Sequence, residues 1–186
     1  MKYVDQTLTF ESDKVYYVEQ DTEFQVMMSW EDSIMKASAD YICEGGGDIL
    51  EIGFGMGISA GYIQANSISS HTIVENHPQM IEKAKAWAED KPNVTIVEGD
   101  WYDVRDSLST YDGIFYDTWA DDNLDDFTSV LPNLTKSGTR VTWWNSLTDV
   151  DDIFHTDGTV YQAIRVEPVD NIYFKANTYY LPKKQF

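Results

Sequence analysis

Three glycines close a short apolar run in Leu50-Glu-Ile-Gly-Phe-Gly-Met-Gly57. Glycines placed there let the chain turn sharply out of a strand and let its backbone approach a ligand closely. The strict dinucleotide fingerprint asks for a further glycine three residues after Gly55, where this chain has Ile58. Three carboxylates follow: Glu75, 22 residues after Gly53, then Asp100 beside Trp101, then Asp117. An acid about 20 residues past the loop accepts ribose hydroxyls, and an acid next to an aromatic can hold and cover a base. A glycine loop without the pyrophosphate fingerprint, surrounded by carboxylates rather than Lys or Arg, suits a nucleoside with a positive charge and no pyrophosphate. S-adenosyl-L-methionine is such a ligand. NAD is the alternative, and ATP is disfavoured because G-x-x-x-x-G-K-[ST] is missing.

These residues act together only if the fold brings them to one edge. The apolar pattern predicts strands over 48–52, 71–75, 94–98, 111–117 and 140–144, and helices over 58–65, 78–89 and 125–134. Pro78 suits the first turn of its helix. Strands separated by helices imply right-handed crossovers and a parallel, doubly wound α/β sheet. Gly53, Gly55, Glu75, Asp100 and Asp117 then all lie at its carboxyl edge. Residues 161–169 and 171–181 read as two β-rich runs around a turn, giving an antiparallel C-terminal edge. Phe24, Met27, Met28, Ile34, Met35, Ala39 and Ile42 recur at helical spacing, so a helix is expected over 23–43, ended by Gly45-Gly46-Gly47. Residues 1–22, acidic and tyrosine-rich, are expected to form an arm to a single domain over 23–186.

Composition removes other classes. The chain has 186 residues, 13 Lys plus Arg and 32 Asp plus Glu, for a net charge of −19. That sign disfavours nucleic acid, whose affinity comes from Lys and Arg on phosphates, and anionic membranes. An apolar share of 42% is enough for a core and argues against disorder. One cysteine, Cys43, forms neither an internal disulfide nor a multi-cysteine zinc site. The first residues lack the apolar stretch of a leader, and no run approaches the ~20 residues of a membrane span, so a cytoplasmic protein is expected. The residues favour neither a monomer nor a homodimer. His71, His77 and His155 show no paired metal spacing, and the acidic runs 121–126 and 149–152 lack the turn residues of a calcium loop, so no metal site is expected.

Five blocks in order resemble one family. They are Val26-Met-Met-Ser-Trp-Glu-Asp-Ser-Ile-Met35, the loop block 50–56, Ile73-Val-Glu-Asn76, Gly99-Asp-Trp-Tyr-Asp-Val104 and Tyr111-Asp-Gly-Ile-Phe-Tyr-Asp-Thr118. Across roughly residues 24–148 they look like motifs of guanidinoacetate N-methyltransferase, a class I S-adenosylmethionine-dependent methyltransferase. The resemblance implies a Rossmann-like methyltransferase sheet and N-methylation of a small guanidino compound; the alternatives are another amine or an arginine side chain as acceptor, or a non-catalytic module that binds S-adenosylmethionine. It implies that Gly53, Phe54, Gly55, Met56 and Gly57 line the methionine part of the cofactor. Glu75 with Asn76 would hold its ribose, Asp100 and Trp101 would border its adenine, and Met27 and Met35 would close over it. Glu31 and Asp117 would grip the substrate guanidinium, Asp117 also lying against the cofactor, and Leu147 with Thr148 would hold the substrate's far end. The family's N-terminal tryptophan lid has no match, leaving Tyr3, Tyr16 or Tyr17 as its replacement.

Overall fold

A computed structural model describes residues 2–148, 150, 154 and 157–186. His155 and most of the 149–152 acidic run lie outside the described residues. Among the described residues, ten strands run β1 Thr9–Phe10, β2 Lys14–Glu19, β3 Thr22–Met28, β4 Asp48–Ile52, β5 Ser70–Glu75, β6 Val94–Glu98, β7 Tyr111–Tyr116, β8 Thr135–Trp143, β9 Val160–Arg165 and β10 Thr178–Gln185. Among the same residues, five α-helices are α1 Asp32–Cys43, α2 Ile58–Gln64, α3 Pro78–Ala88, α4 Trp101–Val104 and α5 Phe127–Leu134.

Seven strands form one sheet in the order β6-β5-β4-β7-β8-β10-β9. β4 pairs in parallel with β5 and β7, and β10 pairs antiparallel with both β8 and β9. The chain thus leaves β4 in one direction to β5 and β6 and returns to the other side for β7 and β8. That reversal makes a crevice at the carboxyl ends of β4 and β7, where ligands bind in open α/β sheets.

Side chains alternate across the sheet because successive strand residues point to opposite faces. Ile49 and Phe115 face the layer of α1 and α2 with Ile34, Ile42 and Ile63. Leu50, Ile52, Ile114, Tyr116 and Trp143 face the opposite layer with Phe127 and Leu131 of α5. Glu51 breaks the apolar pattern yet is fully buried. His71 Nε2 lies 2.9 Å from Glu51 Oε2, and the Ser59 hydroxyl donates to Glu51 Oε1. This polar chain ties β4, β5 and α2 together beneath the glycine loop, with both side chains sealed from water. Cys43 is buried at the end of α1, where burial pushes its thiol up to about 12.

The helix expected over 23–43 is corrected in its first part. Residues 22–28 are a strand, Ser29–Glu31 is one 3-10 turn, and the α-helix starts at Asp32. The strand completes a separate antiparallel sheet, β1-β2-β3, so β2 and β3 form one hairpin across position 22. The Glu19↔Thr22 pair leaves a two-residue turn at Gln20 and Asp21, both at positive φ (49° and 61°). Such turns usually announce themselves as Asn-Gly or Asp-Gly; Gln-Asp carries no such signal. The C-terminal runs also differ: the strands are 160–165 and 178–185, and 171–177 is irregular chain.

Candidate active site

Gly53 has φ +94°, and a Cβ there would sit 1.8 Å from the Asp117 carbonyl oxygen. Its N–H donates to Val74 O at 2.8 Å, and the Asp117 N–H donates to Ile52 O at 2.9 Å. Only glycine lets three strand ends stay paired this far, and the pairing sets Asp117 directly beside the loop. Gly55 has φ +53°, and a Cβ would come within 2.3 Å of Met27 Sδ. Met27 Sδ accepts the Met56 N–H at 3.1 Å. The N-terminal hairpin is thereby seated on the glycine loop through the end of β3.

Glu75 is 7% exposed. Its Oε2 accepts the Phe54 N–H, and its Oε1 accepts the N–H groups of Asn76 and His77, all at 2.9 Å. Burial raises its carboxyl above the ordinary range against the pull of those three donors. Glu75 therefore holds the loop in shape while its carboxylate still borders the open space.

That space is a cavity of about 280 Å³ at the carboxyl ends of β4 and β7. One end is formed by the loop glycines Gly53 and Gly55, Glu75, Asn76, Gly99 and Trp101. The other end is formed by Glu31, Asp117, Trp119, Trp144, Ser146 and Tyr173. Met27 lies between the two, and Tyr3 of the N-terminal segment also lines the cavity. Tyr3 packs on His77 with ring centroids 4.9 Å apart, whereas Tyr17 stacks on Phe24 and Tyr16 bonds Glu11. Of the three candidate lid tyrosines, Tyr3 is the one that reaches the site.

Glu31 ends the 3-10 turn and is 4% exposed. Its Oε1 accepts the Met28 N–H at 2.8 Å and the Tyr173 hydroxyl at 2.5 Å. Burial pushes its carboxyl up to about 7, partly offset by those two donors. Asp117 is raised well above the usual carboxylate range, by burial first and then by the charges of Glu31, Glu51 and Glu75. None of the described residues donates a hydrogen bond to its carboxylate. Aromatic rings wall this end. Tyr173 meets Trp119 and Trp144 edge-on, each at 6.0 Å, and lies over Trp30 at 5.9 Å. The pair has the donor set for a planar cation: two carboxylates beside aromatic faces, which attract guanidinium groups through both hydrogen bonds and π contact.

Asp121 carries a role that the sequence reading did not assign. Its Oδ2 accepts Trp101 Nε1–H at 2.6 Å, the Thr118 hydroxyl at 3.1 Å and the Tyr116 hydroxyl, and its Oδ1 accepts the Asn123 N–H at 2.7 Å. It fastens the wall of the cavity behind Trp101. Replacing it by Ala strands two buried donors, and each unsatisfied buried donor costs roughly 1–3 kcal/mol. Asp121→Ala is expected to lower the melting temperature by about 5–10 °C, at about 2–4 °C per kcal/mol for a chain of this size, as read by thermal denaturation.

Several expected site residues stand elsewhere. Met35 is fully buried in the α1 core and does not reach the cavity, because its turn of the helix faces the sheet. Phe54 turns its ring onto Trp87, and Gly57 starts α2 beneath that ring. Asp100 caps α4, accepting the Tyr102 N–H at 2.9 Å, and does not line the cavity. Leu147 donates its N–H to Asn145 Oδ1 at 3.3 Å, and Thr148 is exposed; their neighbours Trp144 and Ser146 line the cavity in their place. Met56 does not line the cavity; its N–H donates to Met27 Sδ and its side chain packs beside the core. Among the described residues, no group of His, Cys, Asp or Glu is arranged to hold a metal.

The residues present fit S-adenosyl-L-methionine. Side-chain-free backbone at Gly53 and Gly55 gives room for close approach, Glu75 stands where a ribose acceptor is needed, and Trp101 offers an apolar face beyond it. Carboxylates around the cavity suit a sulfonium.

Comparison with known proteins agrees with this geometry. Over 127 residues the chain is 41% identical to a protein of Aspergillus oryzae named protein arginine N-methyltransferase 2, covering 64% of this chain and 30% of that protein. The chain thus spans about a third of the length of such curated relatives. The fold matches spermidine synthase from Thermotoga maritima with TM-score 0.63 at 12% identity, over 96% of this chain and 72% of that one. It also matches an O-methyltransferase from Bacillus cereus in complex with SAH, with TM-score 0.54 at 19% identity, over 66% and 59% of the two chains. The model of one family, guanidinoacetate N-methyltransferase, matches residues 5–158, which take in the hairpin, the glycine loop, Glu31 and Asp117. A Rossmann-like sheet with its glycine loop at the switch point and 154 matched residues together place the chain in the guanidinoacetate N-methyltransferase family, among the class I S-adenosylmethionine-dependent methyltransferases.

Proposed function

We propose that the protein methylates a nitrogen of a small guanidino compound, with S-adenosyl-L-methionine as donor. One observation carries the reading: two carboxylates, the buried Glu31 and the half-buried Asp117, border the same cavity as the glycine loop. When bound, the cofactor supplies an electrophilic methyl group on a sulfonium that leaves as a neutral thioether.

The chain must do the rest. A guanidinium is a poor nucleophile, because its lone pairs are delocalised and its pKa exceeds ~12. Glu31 and Asp117 each accept N–H bonds from it and hold its plane. Their two charges draw the positive charge away from the attacking nitrogen. The nitrogen that gains the methyl group must lose a proton, and Asp117 accepts it. Asp117 suits that role because it sits on a strand end locked by Gly53 and has no other donor among the described residues. Glu31, held by Met28 and Tyr173, orients the group. The aromatic walls exclude water, and fixing two reactants in attack geometry supplies much of the rate.

The likeness to the Aspergillus oryzae protein favours a second reading, an arginine side chain of a polypeptide as acceptor. An assay with methyl-labelled cofactor separates the two. Guanidino compounds, simple amines and an arginine-containing peptide are incubated in parallel and the products are read by mass spectrometry. The proposal expects the label on a guanidino nitrogen of a small compound. Label on the peptide alone would favour the second reading, and label on amines alone would refute both.

A further inference from the structure

Tyr173 reaches the cavity from a segment far along the chain, and its hydroxyl meets one carboxylate of the acceptor grip. We infer that Tyr173 is a positioning residue for the acceptor: it acts through Glu31, holding that carboxylate so that one oxygen is left for the guanidinium. The inference rests on the proposed grip and adds a residue to it.

The segment before β10 is built to present this side chain. Asn171 is buried there. Its Oδ1 accepts the N–H groups of Tyr173 at 2.9 Å and Phe174 at 2.7 Å, and its Nδ2 donates to the carbonyls of Val169 and Phe174, both at 2.8 Å. One buried amide side chain thereby bonds four backbone groups of a turn outside any strand, as burial of so polar a group requires. Gln25, buried on β3, accepts the Ile172 N–H at 3.1 Å. The segment is thus fastened to the strand that ends three residues before Glu31.

Glu31 receives its donors on one side. Its Oε1 takes both the Met28 N–H and the Tyr173 hydroxyl, and among the described residues no donor reaches Oε2. The Tyr173 hydroxyl keeps its proton, because burial and then the Glu31 charge raise it beyond its ordinary range. It therefore donates, and a donor on a carboxylate favours the charged form. The other titratable groups near Glu31 are Asp117 at the end of β7 and Tyr179 of β10. Asp117 is a like charge, and among the described residues no Lys, Arg or His lines the cavity. Tyr173 and the Met28 N–H are what favour the ionised Glu31 that a cation needs, against its burial.

The carboxyl carbon-13 signal of Glu31, assigned by its loss in Glu31→Gln, can be titrated in the parent and in Tyr173→Phe. The Phe variant keeps the ring against Trp30 and Trp144 and the N–H on Asn171, so the segment stays folded. The midpoint should rise from about 7 by about one to two pH units, the scale of one hydrogen bond to a charged group. An unmoved midpoint would overturn the inference.

Activity gives a second reading. For guanidinoacetate or agmatine, whichever takes the methyl label, kcat/KM of Tyr173→Phe should fall about 10-fold at pH 7 and return to within a few-fold of the parent by about pH 10. A loss equal at every pH would overturn the inference, since a merely structural role acts at all of them. In the Glu31→Gln background the same substitution should cost less than about twofold, because groups that act through one another are not additive. Full additivity would also overturn it. A shifted midpoint in a protein that methylates no acceptor would refute the proposed function and support the hold of Tyr173 on Glu31. An unmoved midpoint in an active enzyme would do the reverse.

Discussion

Asp117→Asn is expected to lower kcat/KM for the guanidino acceptor by at least ~10³, since general-base loss alone removes about 10²–10⁴ and one arm of the guanidinium grip goes with it. Affinity for S-adenosyl-L-methionine should stay within a few-fold, because Gly53, Gly55 and Glu75 shape the cofactor end independently of the Asp117 side chain. The fold should not suffer. Asp117 is anchored by its backbone N–H on Ile52, and its carboxylate has no donor among the described residues to lose. Replacing a carboxylate pushed far above its ordinary range by burial and by Glu31, Glu51 and Glu75 relieves repulsion, so the variant should melt higher than the parent. Steady-state kinetics, cofactor titration and a thermal melt check the three statements. Loss of activity with unchanged or raised stability separates a catalytic role from a structural one.

Glu31→Gln is expected to raise KM for the acceptor about 100-fold, the scale for removing one charge of a buried hydrogen-bonded pair. Gln can still accept the Met28 N–H and the Tyr173 hydroxyl, so the turn that precedes α1 stays in place. Its pH signature is sharper than its size. Glu31 titrates at about 7 in the folded protein against an ordinary value of 4.5. The free enzyme must ionise Glu31 to bind a cation, so kcat/KM of the parent should rise as the pH passes through about 7. The variant should lack that limb.

Stability moves the opposite way. The folded state keeps the proton to a higher pH than the unfolded chain, so unfolding free energy falls as the pH rises from about 4.5 to about 7, by about 3 kcal/mol from this group. The penalty is absent below the unfolded value and complete above the folded one. Glu31→Gln removes it, and chemical denaturation of both proteins at pH 5 and pH 8 should show the variant gaining only at the higher pH.

The parts of the site legible in the sequence are those written locally. The glycine loop, Glu75 and Asp117 each follow an apolar run, so strand ends and their carboxyl-edge position could be read from pattern alone. Glu31 was marked by its motif, but what tunes it was not. Tyr173 stands 142 residues away and reaches Glu31 only because the irregular segment before β10 folds back over the site. In the sequence Asp121 is one member of the acidic run 121–126. Its function depends on donors from Trp101, Tyr116 and Thr118, which converge only in three dimensions. The buried Glu51–His71 pair was hidden in the same way.

The misread element, residues 22–28, has apolar residues at Phe24, Val26, Met27 and Met28 that satisfy both a helical and a strand period. Pairing with β2 decides between them, and the turn that creates the pair lacks glycine. Met35 shows the same limit from the other side. A methionine on a helix near the site is equally suited to core and cofactor, and packing against the sheet settled it as core.

The central claim is that Glu31 and Asp117 together receive a guanidinium. Proton release on binding tests it most directly. In the free protein the two carboxyls that line the cavity are held partly protonated, Glu31 at about 7 and Asp117 well above its ordinary value. A bound guanidinium favours both ionised forms, so binding must expel protons. Calorimetric titration of agmatine into the protein with S-adenosylhomocysteine, at pH 7 in buffers of different ionisation enthalpy, counts them. The account predicts a net release of about half a proton or more, falling in Glu31→Gln and again in Asp117→Asn. Binding with no proton release, or with uptake, would contradict it, as would the absence of any binding.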